Sequence, residues 1–293
     1  MKTRKATTKS NFNIGGAYAK ALLERLDIRE VPDILSLARR LKIKVKEEVL
    51  HDCDGVLVRP KGTPRGLIAV NANIRSEGRK LFTIAHEIGH FILPGHEDAI
   101  CSAKDIENWK TGGNERERQA DEFAAELLIP SFIFKTIIAH SQPSLASIEG
   151  IATDTLASLS AAGWRYCDLT SERCAIVWSS KGKIVWAKKS DEFLFGLPRD
   201  KWIEKSTYAF DCFQDQSVPA QPQPVPADLW LRPDNLQSGA MIWEESRFLP
   251  NFDSVITLLW IKERVEKFSD FDDQEDSSLD PIEFSIHRTK WPT

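Results

Sequence analysis

The run His86-Glu87-Ile88-Gly89-His90 constrains this chain more than any other feature, because it falls inside a stretch patterned as a helix. Leu81, Phe82, Ile84, Ala85, Ile88, Phe91 and Ile92 recur along one helical face, Ser76 stands where an N-cap belongs, and Pro94 ends the pattern. Residues four apart share a face, so the spacing predicts that His86 and His90 turn their imidazoles to a common point, with Glu87 beside them. That arrangement suits a metal ion. Zinc is the expected one, since imidazole matches a borderline-soft cation and a filled d shell tolerates the open position that hydrolysis requires. Mn²⁺ and Fe²⁺ suit the same donors. Glu87 is the group expected to take a proton from water.

Two histidines leave a third protein ligand to be found, and it should come from a separate helix. Glu115 through Leu128 is rich in Ala, Glu and Leu and is ended by Ile129-Pro130. Within it Glu117 and Asp121 lie one turn apart, so Glu117 is expected to bind the metal while Asp121 accepts a hydrogen bond from a ligating imidazole. Glu115 reads as a complement to the helix dipole, and Glu122 and Glu126 as solvent-facing. His51, His96 and His140 are the remaining nearby histidines, and spacing favours none of them for the oxyanion. His96, past Pro94, is expected to be an exposed loop residue. Cys101 is expected to be a small buried hydrophobe.

Around these helices the pattern alternates. Amphipathic helices are expected at 17–26 and 32–41, then short strands at 43–49, 55–59 and 66–71 that read as a small antiparallel sheet. Short helices follow at 131–140, 144–149 and 154–162. From Cys174 the chain turns β-rich, with a hairpin over 175–187, a Pro-rich loop at 218–227, strands at 240–243 and 254–260, and an acidic segment at 269–281. Eight of the nine tryptophans fall after residue 160, enough to give that half its own aromatic core. The expected organisation is a basic N-terminus at 1–14, a metal-binding domain at 15–165 and a C-terminal β-rich unit at 166–293.

Charge and composition exclude several classes. A net charge of −4 and a pI near 5.9 argue against a protein that wraps nucleic acid electrostatically. The helical pair over 144–163 resembles a helix-turn-helix, but no Lys or Arg occurs from Gln142 to Trp164, so direct nucleic-acid binding is not expected. Lys2, Arg4, Lys5 and Lys9 are not followed by the apolar core of a signal peptide, and no apolar run reaches the roughly 18 residues of a membrane span. Five scattered cysteines without a CxxC pair fit a reducing compartment, the cytoplasm.

The segments Leu81-Phe-Thr-Ile-Ala-His-Glu-Ile-Gly-His90 and Glu117-Arg-Gln-Ala-Asp-Glu-Phe-Ala-Ala-Glu-Leu-Leu-Ile-Pro130 together resemble the ImmA/IrrE family of metallo-endopeptidases. The resemblance covers about residues 15–190, including the Gly66–Asn71 strand and the hairpin around Trp178. It implies an α+β fold: a helical zincin-like peptidase domain with a small antiparallel sheet, followed by a mixed β-rich C-terminal unit that senses or recruits. It also implies His86, His90 and Glu117 as zinc ligands and Glu87 as the catalytic residue. Many relatives carry Asn where this chain has Asp121, and either side chain can orient a histidine. The function so implied is limited cleavage of a regulatory protein, a DNA-binding repressor being the expected substrate. The alternative is a non-hydrolytic zinc-containing module that sequesters a repressor or toxin partner. Glu87 separates the two, because a purely structural site has no use for a base beside an open coordination position.

Overall fold

A computed structural model describes residues 13–51, 53–60, 62–96, 113–198, 201–232, 236 and 238–262. Residues 1–12 of the basic N-terminus, Cys101 and the acidic segment 269–281 lie outside the described residues. The fold is α+β, and the chain divides into two compact units, Met1–Pro130 and Ser131–Thr293.

In the first unit, α1 (Ile14–Arg25), α2 (Ile34–Arg40) and α3 (Glu77–Ile92) each begin at a polar side chain that satisfies an orphan backbone N–H. Asn13 accepts from Gly16 N at 2.6 Å, Asp33 from Ser36 N at 2.9 Å and Ser76 from Arg79 N at 3.4 Å. The strands β1 (Ile43–Glu48), β2 (Gly55–Val58) and β3 (Gly66–Asn71) form one sheet in the order β1-β3-β2. The expected all-antiparallel sheet is therefore corrected: β3 runs parallel to β1 and antiparallel to β2. β3, whose side chains alternate buried and half-buried, inserts between its two predecessors and leaves β2 at an edge.

α4 (Gly113–Leu128) packs against both α1 and α3, so Ala120, Phe123, Ala124 and Leu127 are fully buried. Because two sides of α4 are covered, the expectation that Glu122 and Glu126 face solvent fails: Glu126 is buried, and half-buried Glu122 accepts from Gly15 N at 3.3 Å. The α1–α4 approach leaves no space for a side chain at residue 15, where a Cβ would stand 1.9 Å from the Gln119 carbonyl oxygen. Gly15→Ala is therefore expected to destabilise the first unit by about 3 kcal/mol, the upper range for overpacking, although Ala is the better helix former. Denaturant unfolding checks this, and a neutral or stabilising result would show that α1 shifts freely.

The second unit contains α5 (Ser131–Ala139), α6 (Leu145–Thr155), α7 (Leu159–Leu169) and α8 (Tyr208–Phe213), with β4 (Cys174–Ser180), β5 (Lys183–Lys189), β6 (Gln223–Pro226), β7 (Met241–Leu249) and β8 (Ser254–Trp260). Its sheet is antiparallel in the order β5-β4-β8-β7-β6. α7 packs on β4 and β5, which groups α5–α7 with this sheet in the second compact unit. Part of the expected Pro-rich loop is the edge strand β6, where Pro224 and Pro226 pair in register with Trp243 and Met241. An edge position tolerates their missing N–H groups. Trp178, Trp230 and Trp260 are core residues, whereas Trp202 is exposed.

Consecutive strand residues face opposite sides of a sheet, and β7 uses this to hold two helices. Glu244 accepts from Ala209 N in α8 at 2.7 Å and from Trp230 Nε1 at 2.8 Å, while Glu245 accepts from Leu145 N in α6 at 2.8 Å. Burial pushes both carboxyls above the usual carboxylate range despite these donors. A raised folded pKa means the folded unit binds the proton more tightly than the unfolded chain. Stability is then lost as pH rises from the ordinary carboxylate pKa through the folded one. Glu245→Gln keeps an acceptor for Leu145 and cannot titrate, so its stability relative to wild type is expected to improve with rising pH. Urea unfolding at a series of pH values measures it, and a difference that is flat with pH would refute the expectation.

Candidate metal centre

α3 carries His86, Glu87 and His90, and α4 carries Glu117 and Asp121. Gly89 lies against Ala120 where these helices meet: a Cβ at 89 would stand 3.3 Å from the Ala120 α-carbon and carbonyl oxygen. Two residues with so little bulk keep the axes close, which carries the Glu117 carboxylate over the histidines.

The His86 and His90 Nε2 atoms are 3.0 Å apart. Glu117 Oε2 is 3.2 Å from His86 Nε2, and its Oε1 is 3.4 Å from His90 Nε2. A tetrahedral zinc ion with bonds of about 2.0–2.1 Å sets its ligand atoms about 3.3 Å apart. The donor types and their spacing therefore fit a zinc-sized ion, and these three residues are the group that could hold a metal ion among the described residues. His90 is 6% exposed and Glu117 33%, so the cluster is closed behind the histidines and open on the carboxylate side. That opening gives water access to the carboxylate.

Electrostatics bind the cluster together. Burial depresses the His86 pKa, but hydrogen bonds donated to Asp121 and then to Glu117 outweigh it and raise it well above the ordinary value. Burial likewise pushes Glu117 up, and the hydrogen bonds from His86 and His90 outweigh it, holding the carboxyl far below the usual range.

Each histidine has a partner on its other nitrogen. Asp121 Oδ1 lies 2.8 Å from His86 Nδ1. His96 Nδ1 lies 2.9 Å from His90 Nδ1, and His96 Nε2 is 3.3 Å from Gln119 Oε1. The expectation of an exposed His96 is corrected: the residue is buried, because after Leu93 the chain reverses at Pro94 and at Gly95, whose φ is +78°, and folds back onto α3. A Pro-Gly pair directly after a helix was the available signal. Burial, and then the charge of His90, hold His96 below the ordinary histidine pKa. His51 and His140 are exposed, and His140 Nδ1 is engaged by Thr136 O at 2.7 Å.

Glu87 is buried on the same turn as His86, against the start of β2: a Cβ at Gly55 would lie 3.1 Å from Glu87 Oε1 and 2.5 Å from Thr83 Cγ2. Residues that spacing did not identify hold β2 there. Arg79 grips Asp54 Oδ2 through Nε at 2.8 Å and Nη2 at 2.6 Å. Asn71 Nδ2 donates to Leu50 O at 3.0 Å and Cys53 O at 2.9 Å, tying down the β1–β2 loop. At the far end of β2, Arg59 donates to the His90 carbonyl and lies over the Phe91 ring, 4.8 Å from its centroid.

Comparison with known proteins places this geometry. A peptidase family model described as the IrrE N-terminal-like domain matches residues 38–165. Metallopeptidase ImmA of Bacillus subtilis (strain 168) is 29% identical over 101 residues, which span 34% of this chain and 56% of that protein. A Mycobacterium tuberculosis transcriptional regulator of known structure superposes with a TM-score of 0.51 at 15% identity, over 85% of this chain and 76% of that one, a likeness of fold. No helix among the described residues is long and apolar enough to cross a membrane. The matched segment holds both helices of the cluster, and over it the chain is similar to the ImmA/IrrE metallopeptidases.

Proposed function

We propose that this chain is a zinc-dependent endopeptidase of the cytoplasm that makes limited cuts in a regulatory protein, a DNA-binding transcriptional repressor being the substrate class. One observation carries this reading: His86, His90 and Glu117 converge at metal-ligand spacing while Glu87 stands on the same helical turn beside an edge strand. His86, His90 and Glu117 are the metal ligands, and Asp121 orients His86. When bound, zinc supplies Lewis acidity that acidifies water and polarises a peptide carbonyl near neutral pH; Mn²⁺ or Fe²⁺ can occupy the same donors. Glu87 takes the proton of the attacking water and hands it to the leaving amine.

The substrate is an extended segment. Among the described residues β2 pairs with β3 along one side only, and its first residue abuts Glu87, so a peptide added along the other side would bring its carbonyls past the base. β2 is four residues long, which suits recognition of a short exposed loop more than wholesale degradation. The second unit is assigned recruitment or sensing. The cytoplasmic location is supported by the free, buried Cys167, Cys174 and Cys212.

The test is to incubate zinc-loaded protein with DNA-binding repressors encoded beside its gene and to follow intact mass. Two fragments from a single cut in one repressor are expected. Tight binding of a repressor that stays whole would instead establish the sequestering module.

A further inference from the structure

We propose that His96 is a positioning residue of the metal centre: its Nδ1 accepts the Nδ1–H of His90 and thereby turns the His90 Nε2 lone pair to the metal. The inference rests on the metal-centre reading above and adds a residue to it. His90 directs Nε2 at the cluster, 3.0 Å from His86 Nε2 and 3.4 Å from Glu117 Oε1. A neutral imidazole that ligates through Nε2 carries its proton on Nδ1. That proton points at His96 Nδ1, 2.9 Å away.

The tautomer of His96 follows. If its Nδ1 is the acceptor, its proton sits on Nε2, and the Nε2 neighbour is an acceptor, Gln119 Oε1 at 3.3 Å. The Gln119 amide is then oriented as well, and its Nε2 donates to Glu115 Oε1 at 2.8 Å. Every donor in the series His90, His96, Gln119, Glu115 points the same way, from the cluster outward to a carboxylate held anionic by Arg118. No link requires a second proton. The two ligating histidines thus have unlike partners, an acidic Asp121 behind His86 and a neutral His96 behind His90. Glu117, Asp121 and Glu87 already place three negative charges about the cluster, so a neutral acceptor orients His90 without adding a fourth.

His96 is buried, so His96→Ala risks the fold, and two further variants separate the roles. Asn places an oxygen near the position of Nδ1, and Gln near that of Nε2. Zinc affinity is measured by competition with a chromophoric chelator, with unfolding curves recorded alongside. His96→Ala is expected to bind zinc about 10–100-fold more weakly, the usual cost of losing an outer partner. His96→Asn should recover affinity to within a few fold of wild type, and His96→Gln should resemble the Ala variant. Side-chain ¹⁵N NMR should show His96 neutral with its proton on Nε2. Wild-type affinity in folded His96→Ala, equal losses in the Ala and Asn variants, or a proton on His96 Nδ1 would each overturn the proposal alone. A wild-type protein that binds none of zinc, manganese or iron would overturn the metal-centre reading and this proposal with it.

Discussion

Glu87→Gln is expected to lower kcat/KM for the cleaved repressor by about 10²–10⁴-fold while zinc affinity stays within a few fold of wild type. The amide keeps the shape and the contacts of the side chain beside Gly55 and Thr83 but cannot accept a proton at neutral pH. Glu87 is not one of the three clustered ligands, so its charge contributes to metal binding only at a distance. Removing a base that acts in the transition state lowers kcat and kcat/KM together, whereas removing a binding contact raises KM. Single-turnover cleavage of one repressor, with zinc affinity measured on the same preparation, separates these outcomes. An unimpaired Gln variant would exclude Glu87 as the base.

Glu117→Ala should lose far more metal affinity than any outer-partner variant, beyond the roughly 100-fold that bounds losses of that kind. It deletes one of the three ligand atoms, and it also leaves His86 and His90 with 3.0 Å between their Nε2 atoms and no carboxylate between them and solvent. The fold should tolerate the change, since Glu117 is one-third exposed and Ala is a good helix former. Apo stability below wild type, because the carboxylate held by His86 and His90 is removed, together with loss of the zinc-induced rise in Tm, is the expected pair of results. Retention of that rise would mean that the third ligand comes from elsewhere.

The residues of the candidate centre were legible because helical geometry is local. Four-residue spacing put His86 with His90 and Glu117 with Asp121 before any long-range contact was known. What joins the two pairs was not legible: the Gly89–Ala120 approach, which brings Glu117 to within 3.4 Å of His90, depends on how two helices from different parts of the chain pack. His96 reads as an exposed loop residue for a related reason. Its burial depends on a reversal at Pro94-Gly95 and on Gln119, 23 residues away. Glu126 was misplaced because an acidic residue on a helix reads as solvent-facing until a second helix covers it.

The sheets divide in the same way. Alternation located β1, β2 and β3, since side-chain period is a property of each strand. Strand order and direction are properties of the pairings, so the parallel β1–β3 ladder, the edge position of β2 against Glu87 and the pairing of Pro-rich β6 with β7 belong to the tertiary structure. The sequence by itself determined the α+β class, the motif helix and which side chains can reach a common metal. Packing decided how closely the helices approach and which outer partner stands behind each histidine, because those contacts join residues that neither helical nor strand periodicity relates.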